Sequence, residues 1–349
     1  MNRRRFAFHL AALTAAAGLP AGRVFAADPG KARLLKPPML KPGALVGLIA
    51  PGGVVDDAII GKCVTNLETM GFKVRTGANI RQARGGYAGT VGQRLADLHA
   101  MFADRDVRAV WTARGGSGCT ALLPELRYDL LRANPKILIG YSDITALHLA
   151  IYRRARMVTF HGPVAWSTPT DYTVSQMQAV LMSPRRETVI HMSVENERKA
   201  PIQAQFEMRT IRAGIAEGRL TGGNLSVLAA LVGTPYAAET RNALLFLEEV
   251  GEAPYRVDRL LTQLEQSQPL GRAAGIMLGV FQRGEAPAGD RSLTFEQVID
   301  DHLQHLSVPS VYGYSFGHIA HQFTIPLGIR ARLDTQARTL TLLEQAVTG

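Results

Sequence analysis

Residues 136–151 read KILIGYSDITALHLAI. Three β-formers, Ile137, Leu138 and Ile139, meet Gly140; Ser142 and Asp143 follow, and apolar residues then recur at helical spacing. A strand that turns this sharply into a helix lifts one side chain off the sheet, exposed beside a helix N-terminus, where a nucleophile can work. A plain Ser or Asp N-cap belongs at the same place. The flanking sequence has to separate the two.

The same alternation runs upstream. ALVGLIAP (44–51) reads as a buried strand, DAIIGKCVTNLETMGF (57–72) as a helix and KVRTG (73–77) as a strand. VGQRLADLHAMFAD (91–104) is an amphipathic helix, RAVWTA (108–113) a strand and TALLPELRYDLLRAN (120–134) a helix. Strands alternating with helices of this length predict a doubly wound parallel sheet, here a domain over 40–165 that carries the candidate serine. Ligands of such sheets sit at the carboxyl ends of the strands. Three loops leave those ends: APGG (50–53), ARGGSG (113–118) and GYSD (140–143).

Over 166–207 the regularity fades into Pro, Thr and charged residues, read as a connecting segment with a short helix at 174–182. A second unit, 208–345, holds TGGNLSVLAALVG (221–233), a strand ALLFLEEV (243–250) and a helix PYRVDRLLTQLEQ (254–266). A strand AAGIMLGVF (273–281), a helix FEQVIDDHLQHL (295–306) and short β-segments from 310 onward complete it. The expected fold class is therefore α/β: an N-terminal doubly wound parallel-sheet domain, a smaller C-terminal mixed α/β domain, and an active site between them.

Residues 1–26 carry Arg3-Arg4 ahead of Phe6, an Ala/Leu-rich stretch and Val24-Phe25-Ala26. That pattern predicts a cleaved twin-arginine signal peptide and a periplasmic mature protein. Cleavage would remove Arg3, Arg4, Arg5 and Arg23 and no acid, taking the formal charge from +10 to +6 (10 − 4). The remaining excess is scattered. Arg153, Arg154 and Arg156 cluster at a predicted helix end, where cations suit the dipole. No aromatic-interleaved basic stripe points to nucleic acid, and no later apolar run is long enough for a membrane span. Cys63 and Cys119 lack C-x-x-C spacing and read as two buried, free thiols.

ARGGSG lacks the G-x-G-x-x-G order, and no Gly-Lys-Ser/Thr P-loop occurs, so no nucleotide cofactor is expected. Adjacent glycines do let backbone N–H groups approach a ligand, as an oxyanion hole requires. His302-x-x-His305 and His318-x-x-His321 have neither the glutamate of H-E-x-x-H nor a third ligand, so no metal is expected. His302 and His305 fit a solvated helix face. His318 differs, because YGYSFGHIAHQFTIPLG (312–328) runs strand-like into Gly317 and leaves His318 on a loop at a strand end. Glu248 and Glu249 end an apolar strand, and alternation turns them to opposite faces, one toward a cleft. Ser142, one of these two glutamates and His318 form a candidate Ser–Glu–His set. Spacing alone does not bring the three together.

The motifs APGG, RGGSG, IGYSDITALH, TFHGP, GGNLSVLAALVGTP, LFLEEVGEAPYRVDRLL, YGYSFGH and TIPLG follow one another between about residues 43 and 334. In that order the chain resembles the LD-carboxypeptidase family of serine peptidases, which includes muropeptide LD-carboxypeptidases and microcin-resistance peptidases. The resemblance implies Ser142 as nucleophile, Glu248 as the triad carboxylate and His318 as base. It also implies an oxyanion hole from the N–H groups of Gly116 and Asp143, with Asp143 capping its helix as well. Where the family usually carries an aromatic residue, this chain has Ser117. The implied reaction releases a terminal D-amino acid, such as D-Ala from murein tetrapeptides, through an acyl-enzyme and without a metal. The expected partner is a muropeptide or other peptide, with a homodimer allowed. The enzymatic alternative is cleavage of another amide, such as a peptidyl-nucleotide antibiotic. The rival from another class is a periplasmic binding protein, which shares export, two domains and a parallel sheet.

Overall fold

Strand β1 (Leu45–Ile49) pairs in parallel with both β2 (Lys73–Thr76) and β3 (Val107–Thr112). Beyond β3 lie β4 (Ile137–Gly140) and β5 (Phe160–His161), also parallel. This is a computed structural model describing residues 33–286, 289 and 291–349; the expected signal peptide lies outside them. β4 is buried along its whole length, and a parallel strand covered on both faces has to be apolar throughout, as Ile137–Ile139 are. Helices α1 (Asp57–Thr69), α2 (Val91–Ala103), α3 (Tyr128–Ala133) and α4 (Thr145–Ala155) connect these strands. Side-chain caps start the first two: Asp56 accepts from the Ile59 N–H, and Thr90 and Gln93 form a reciprocal capping box. The helix expected over 120–134 is broken. Cys119–Glu125 is a 3₁₀ turn containing Pro124, which lacks the N–H that an α-helix interior needs, and α3 starts only at Tyr128.

The strand order reverses between β1 and β3, the switch point where such sheets open a crevice. The glycine loops 50–53 and 113–118 leave the sheet there, and the Gly53 N–H donates to the Gly115 carbonyl at 2.8 Å.

A second sheet has eight strands. Before its core come α5 (Asp171–Leu181), strand β6 (Thr188–His191), the short α6 (Val194–Glu197) and β7 (Arg209–Arg212). The core is β8 (Ile215–Asn224), β9 (Ala243–Glu248), β10 (Gly275–Val280) and β11 (Ser310–Gly317), all mutually parallel. Helices α7 (Leu225–Ala230), α8 (Pro254–Ser267) and α9 (Phe295–Leu303) connect them, with Pro254 at the first helical position, where its missing N–H costs nothing. Strand β12 (Ile325–Pro326) crosses to the first sheet; β13 (Arg330–Asp334) and β14 (Thr339–Leu342) return to the second, antiparallel. β6 and β7 were not legible as strands. Each is four residues long with exposed side chains, and each exists because a neighbouring edge offers pairing.

The sheets are stitched together. β12 pairs antiparallel with β5, Ile325 opposite His161. The described ends also meet: the Met39 N–H donates to Thr348 O at 2.8 Å, and the Thr348 N–H to Pro37 O at 2.9 Å. Aromatic rings continue the core across the junction, with His161 of β5 edge-on to Phe246 of β9 at 5.3 Å and Phe246–Phe316 behind it at 5.9 Å. Each such phenylalanine ring removed from water contributes about 1.5–3 kcal/mol. Cys63 and Cys119 are buried and free. Among the described residues, no helix is long and apolar enough to cross a membrane.

Candidate active site

Ser142 follows β4 with φ at 66°, in the left-handed region that non-glycine residues rarely occupy. Backbone placed there costs on the order of 1–3 kcal/mol and persists only when its surroundings over-determine it. Here the surroundings are other backbones. A Cβ on Gly115 would lie 2.7 Å from Ser142 Cβ and 2.9 Å from its Oγ, and one on Gly116 (φ 101°) would lie 2.6 Å from Gly53. Buried Arg94 straps the two glycine loops, its Nη1 donating to Pro51 O at 2.8 Å and to Gly118 O at 3.1 Å. Among the described residues the Gly116 N–H meets no acceptor.

Asp143 does not cap its helix. Ser142–Ile144 form a 3₁₀ turn and α4 begins at Thr145, so Asp143 lies inside the first turn rather than at the N-cap. Its Oδ2 instead accepts from the Cys119 N–H at 2.8 Å, tying the glycine loop to the serine turn.

Glu248 ends β9, and His318 follows the last residue of β11. His318 Nδ1 lies 2.7 Å from Glu248 Oε2. A carboxylate can only accept, so Nδ1 is the protonated nitrogen and Nε2 is left for other work. Gly317 (φ 113°) permits the approach, since a Cβ there would stand 3.1 Å from Glu248 Cβ. Burial pushes the Glu248 carboxyl up, but the charge and hydrogen bond of His318 outweigh it and hold the group below its ordinary 4.5. Burial likewise pushes His318 down, and Glu248 outweighs it, leaving the imidazole above its ordinary 6.5.

Glu249 faces the other way, as the alternation predicts. It accepts from Asn224 Nδ2 (3.1 Å), the Val250 N–H (2.8 Å) and the Ser226 N–H (2.8 Å), which ties it to the start of α7. Burial raises its pKa, the Val250 N–H opposing.

The two strand-end groups face each other. Thr145 Oγ1 accepts from the Asn224 N–H at 3.0 Å, and Asn224 ends β8 in register with Glu248. The Tyr141 ring stands edge-on to the His318 ring with centroids 4.8 Å apart. The Ser142 turn thus lies against the carboxyl ends of β8, β9 and β11, and Ser142 Oγ makes no hydrogen bond among the described residues. His302 is removed from this site and is not on a solvated face: its Nε2 meets Asp258 Oδ1 at 2.9 Å between α9 and α8.

Sequence reasoning did not single out Arg94, Tyr141, Thr145 or Asn224. Arg94 had a signal, a charge on the apolar stripe formed with Leu95, Leu98, Met101 and Phe102. Asn224 had another, an N-cap residue directly before an apolar helix, and its side chain does accept from the Val227 N–H. Tyr141 and Thr145 act only through tertiary contacts.

The profile of the LD-carboxypeptidase N-terminal domain matches residues 46–162, and that of the LD-carboxypeptidase C-terminal domain matches residues 217–333. A Bacillus subtilis (strain 168) protein named "Probable murein peptide carboxypeptidase" is 35% identical over 88% of this chain and 94% of its own length. The murein tetrapeptide carboxypeptidase of Pseudomonas aeruginosa is 33% identical over 83% of this chain and 92% of its own. Among solved structures, an MccF-like protein from Bacillus anthracis superposes with a TM-score of 0.77 at 30% identity, covering 88% of this chain and 99% of that one.

Proposed function

The chain belongs to the LD-carboxypeptidase family, and from that premise we propose that it is a serine peptidase releasing terminal D-Ala from murein tetrapeptides. The observation that carries the serine mechanism is the 2.7 Å His318–Glu248 contact, with Nε2 unengaged, beside the left-handed Ser142 turn. In this reading Ser142 Oγ attacks the scissile carbonyl carbon while His318 Nε2 takes its proton. Glu248 stabilises the imidazolium that forms and does not itself take the proton. The N–H groups of Gly116 and Asp143 receive the oxyanion. The tetrahedral adduct collapses, the amine of D-Ala leaves with the proton from His318, and an acyl-enzyme remains on Ser142. Water, deprotonated by His318, then hydrolyses the ester. Residues 40–165 would supply the nucleophile and residues 208–345 the glutamate and histidine. The murein-peptide relatives support the substrate class, and the Arg3-Arg4 signal supports action in the periplasm.

Incubating the enzyme with EDTA and a murein tetrapeptide ending in D-Ala, in L-Ala or in D-alaninamide, and measuring released alanine or alaninamide, tests the proposal. Release from the D-terminated peptide alone is expected. Equal cleavage of D- and L-termini removes the LD assignment, and a phosphonate that fails to label Ser142 removes the serine mechanism. The likeness to an MccF-like structure favours a second reading, cleavage of another amide such as that of a peptidyl-nucleotide antibiotic. Full-rate cleavage of the amidated peptide would bring it forward.

A further inference from the structure

His161 ends β5, in register with Gly140 of β4 and one strand from the Ser142 turn. It is wholly buried, and neither ring nitrogen has a hydrogen-bond partner among the described residues. Its neighbours are rings: Phe246 at 5.3 Å, Tyr141 at 6.1 Å and Phe316 at 6.4 Å. On packing grounds a phenylalanine would suit such a box as well, because a buried polar group left without a hydrogen bond is costly. The second oxygen of Glu248, Oε1, is also buried and meets no hydrogen-bond donor among the described residues. A buried carboxylate needs hydrogen bonds beyond its one ion-pair partner. Asn224, the other amide donor at this strand end, gives its hydrogen bond to Glu249 Oε1 at 3.1 Å and exerts only a smaller pull on Glu248.

We infer that His161 is a positioning residue for Glu248: the single N–H of its neutral ring serves Oε1 through one bridging water, while Oε2 keeps His318. This rests on the reading of Glu248 and His318 as the groups that activate Ser142. The arrangement needs a donor that carries no charge, because a second imidazolium would oppose the one formed at His318 during turnover. Burial pushes the His161 imidazole down to about 4, with Glu248 pulling it up and His318 pushing it down, so it is neutral near pH 7. The other titratable or charged groups acting on this cluster are Glu249 just after β9, Arg283 after β10, Tyr141 in the serine turn and His148 on α4. His148 is itself buried, pushed down to about 3 and bonded to Gly140 O at 2.8 Å, so it brings no charge.

His161→Phe, His161→Gln and Ser142→Ala, each in the full chain, test this. His161→Phe should lower kcat for D-Ala release about 10–100-fold, the usual loss when a partner of an active group is removed. KM and melting temperature should stay at the wild-type values. The acid limb of its kcat profile should move to higher pH, because a less solvated Oε1 makes Glu248 hold the His318 proton more firmly. His161→Gln keeps an N–H donor and should recover most of the lost kcat. The low-field Nδ1 proton of His318, read by NMR in the Ser142→Ala background, should shift when His161→Phe is added. Wild-type kcat and pH profile in the Phe variant, a Gln variant no better than Phe, or an unmoved Nδ1 resonance overturns the inference. If the Phe variant does not fold, His161→Leu takes its place, with the same expected loss of kcat and move of the acid limb, and a wild-type kcat and pH profile in it overturns the inference. Activity surviving in Ser142→Ala would instead sink the serine mechanism, and the NMR comparison would still report on His161.

Discussion

At the end of β4 the serine is located by shape. Its φ is positive, Gly115 and Gly116 have no room for a methyl group, and Arg94 and Asp143 fasten the neighbouring loops to one another. At the ends of β9 and β11 the acid and the imidazole are located by charge, through one 2.7 Å contact with little solvent around it. Shape does not change with pH, and charge does. The first region should therefore respond to added carbon atoms and hardly to protons, and the second should do the reverse.

The largest test is at the serine. Ser142→Ala should lower kcat by about 10⁴–10⁶, with the protein still folded. Ser142→Gly should be equally inactive yet more stable by about 1 kcal/mol in chemical denaturation, since glycine relieves the left-handed backbone. No gain would mean that the turn is not strained. On the charged side, Glu248→Gln should cost about 10⁴ in kcat, because an amide cannot hold the same tautomer and charge. Glu249→Gln should keep most activity and lose about 1–3 kcal/mol of stability at the start of α7. Interchanged outcomes would reverse the assignment of the two strand faces.

Gly115→Ala should lower kcat about 100-fold by displacing Ser142 on the order of 1 Å, with no change in the shape of the pH profile. A shifted profile would show that the two regions are not separable in this way. For the charged region, neutral Nε2 is required, so activity should rise with pH through a value above 6.5, the direction in which His318 is moved. The same pair makes stability depend on pH. The raised His318 pKa contributes fully below 6.5 and is lost as pH rises through the folded value. The lowered Glu248 pKa contributes above 4.5 and is lost as pH falls through the folded value. Melting curves of wild type and Glu248→Gln should therefore differ most between pH 4.5 and 6.5. The smallest effect is expected at Thr90→Ala, which removes a helix-cap hydroxyl that touches neither the serine turn nor the Glu248–His318 pair: about 1 kcal/mol of stability and little change in kcat.

The contrast also explains what could be read from the sequence. Parallel strands announce themselves because Ile137–Ile139 and Leu244–Leu247 must be apolar on both faces, and the Ser142 turn is written locally as Gly-Tyr-Ser-Asp. Glu248 and Glu249 could be set on opposite faces by alternation, and the structure agrees, yet which of them faced the histidine was not in the spacing. That depends on β11 lying beside β10, a non-local pairing. Pro124 did carry a local warning against the continuous helix expected over 120–134. The Asp143 cap was misjudged because its acceptor role is filled by Cys119, 24 positions away. β6 and β7 had no local signal, being short edge strands defined by their neighbours.

Strand β12 has a consequence for the order in which the protein can be made. The outer neighbour of β5 in the first sheet is Ile325–Pro326, so that sheet is left with an open edge until more than nine-tenths of the chain has left the ribosome. A nascent or truncated chain ending before residue 325 would hold the Ser142 turn beside an unpaired β5, without His161 buried against its partner strand. Such a chain should be readily digested by protease, and Ser142 should gain its neighbours only once residues 325–326 have been made. Fragments ending at 310 and at 349 in a pulse-proteolysis experiment should differ sharply in survival, including within residues 40–165.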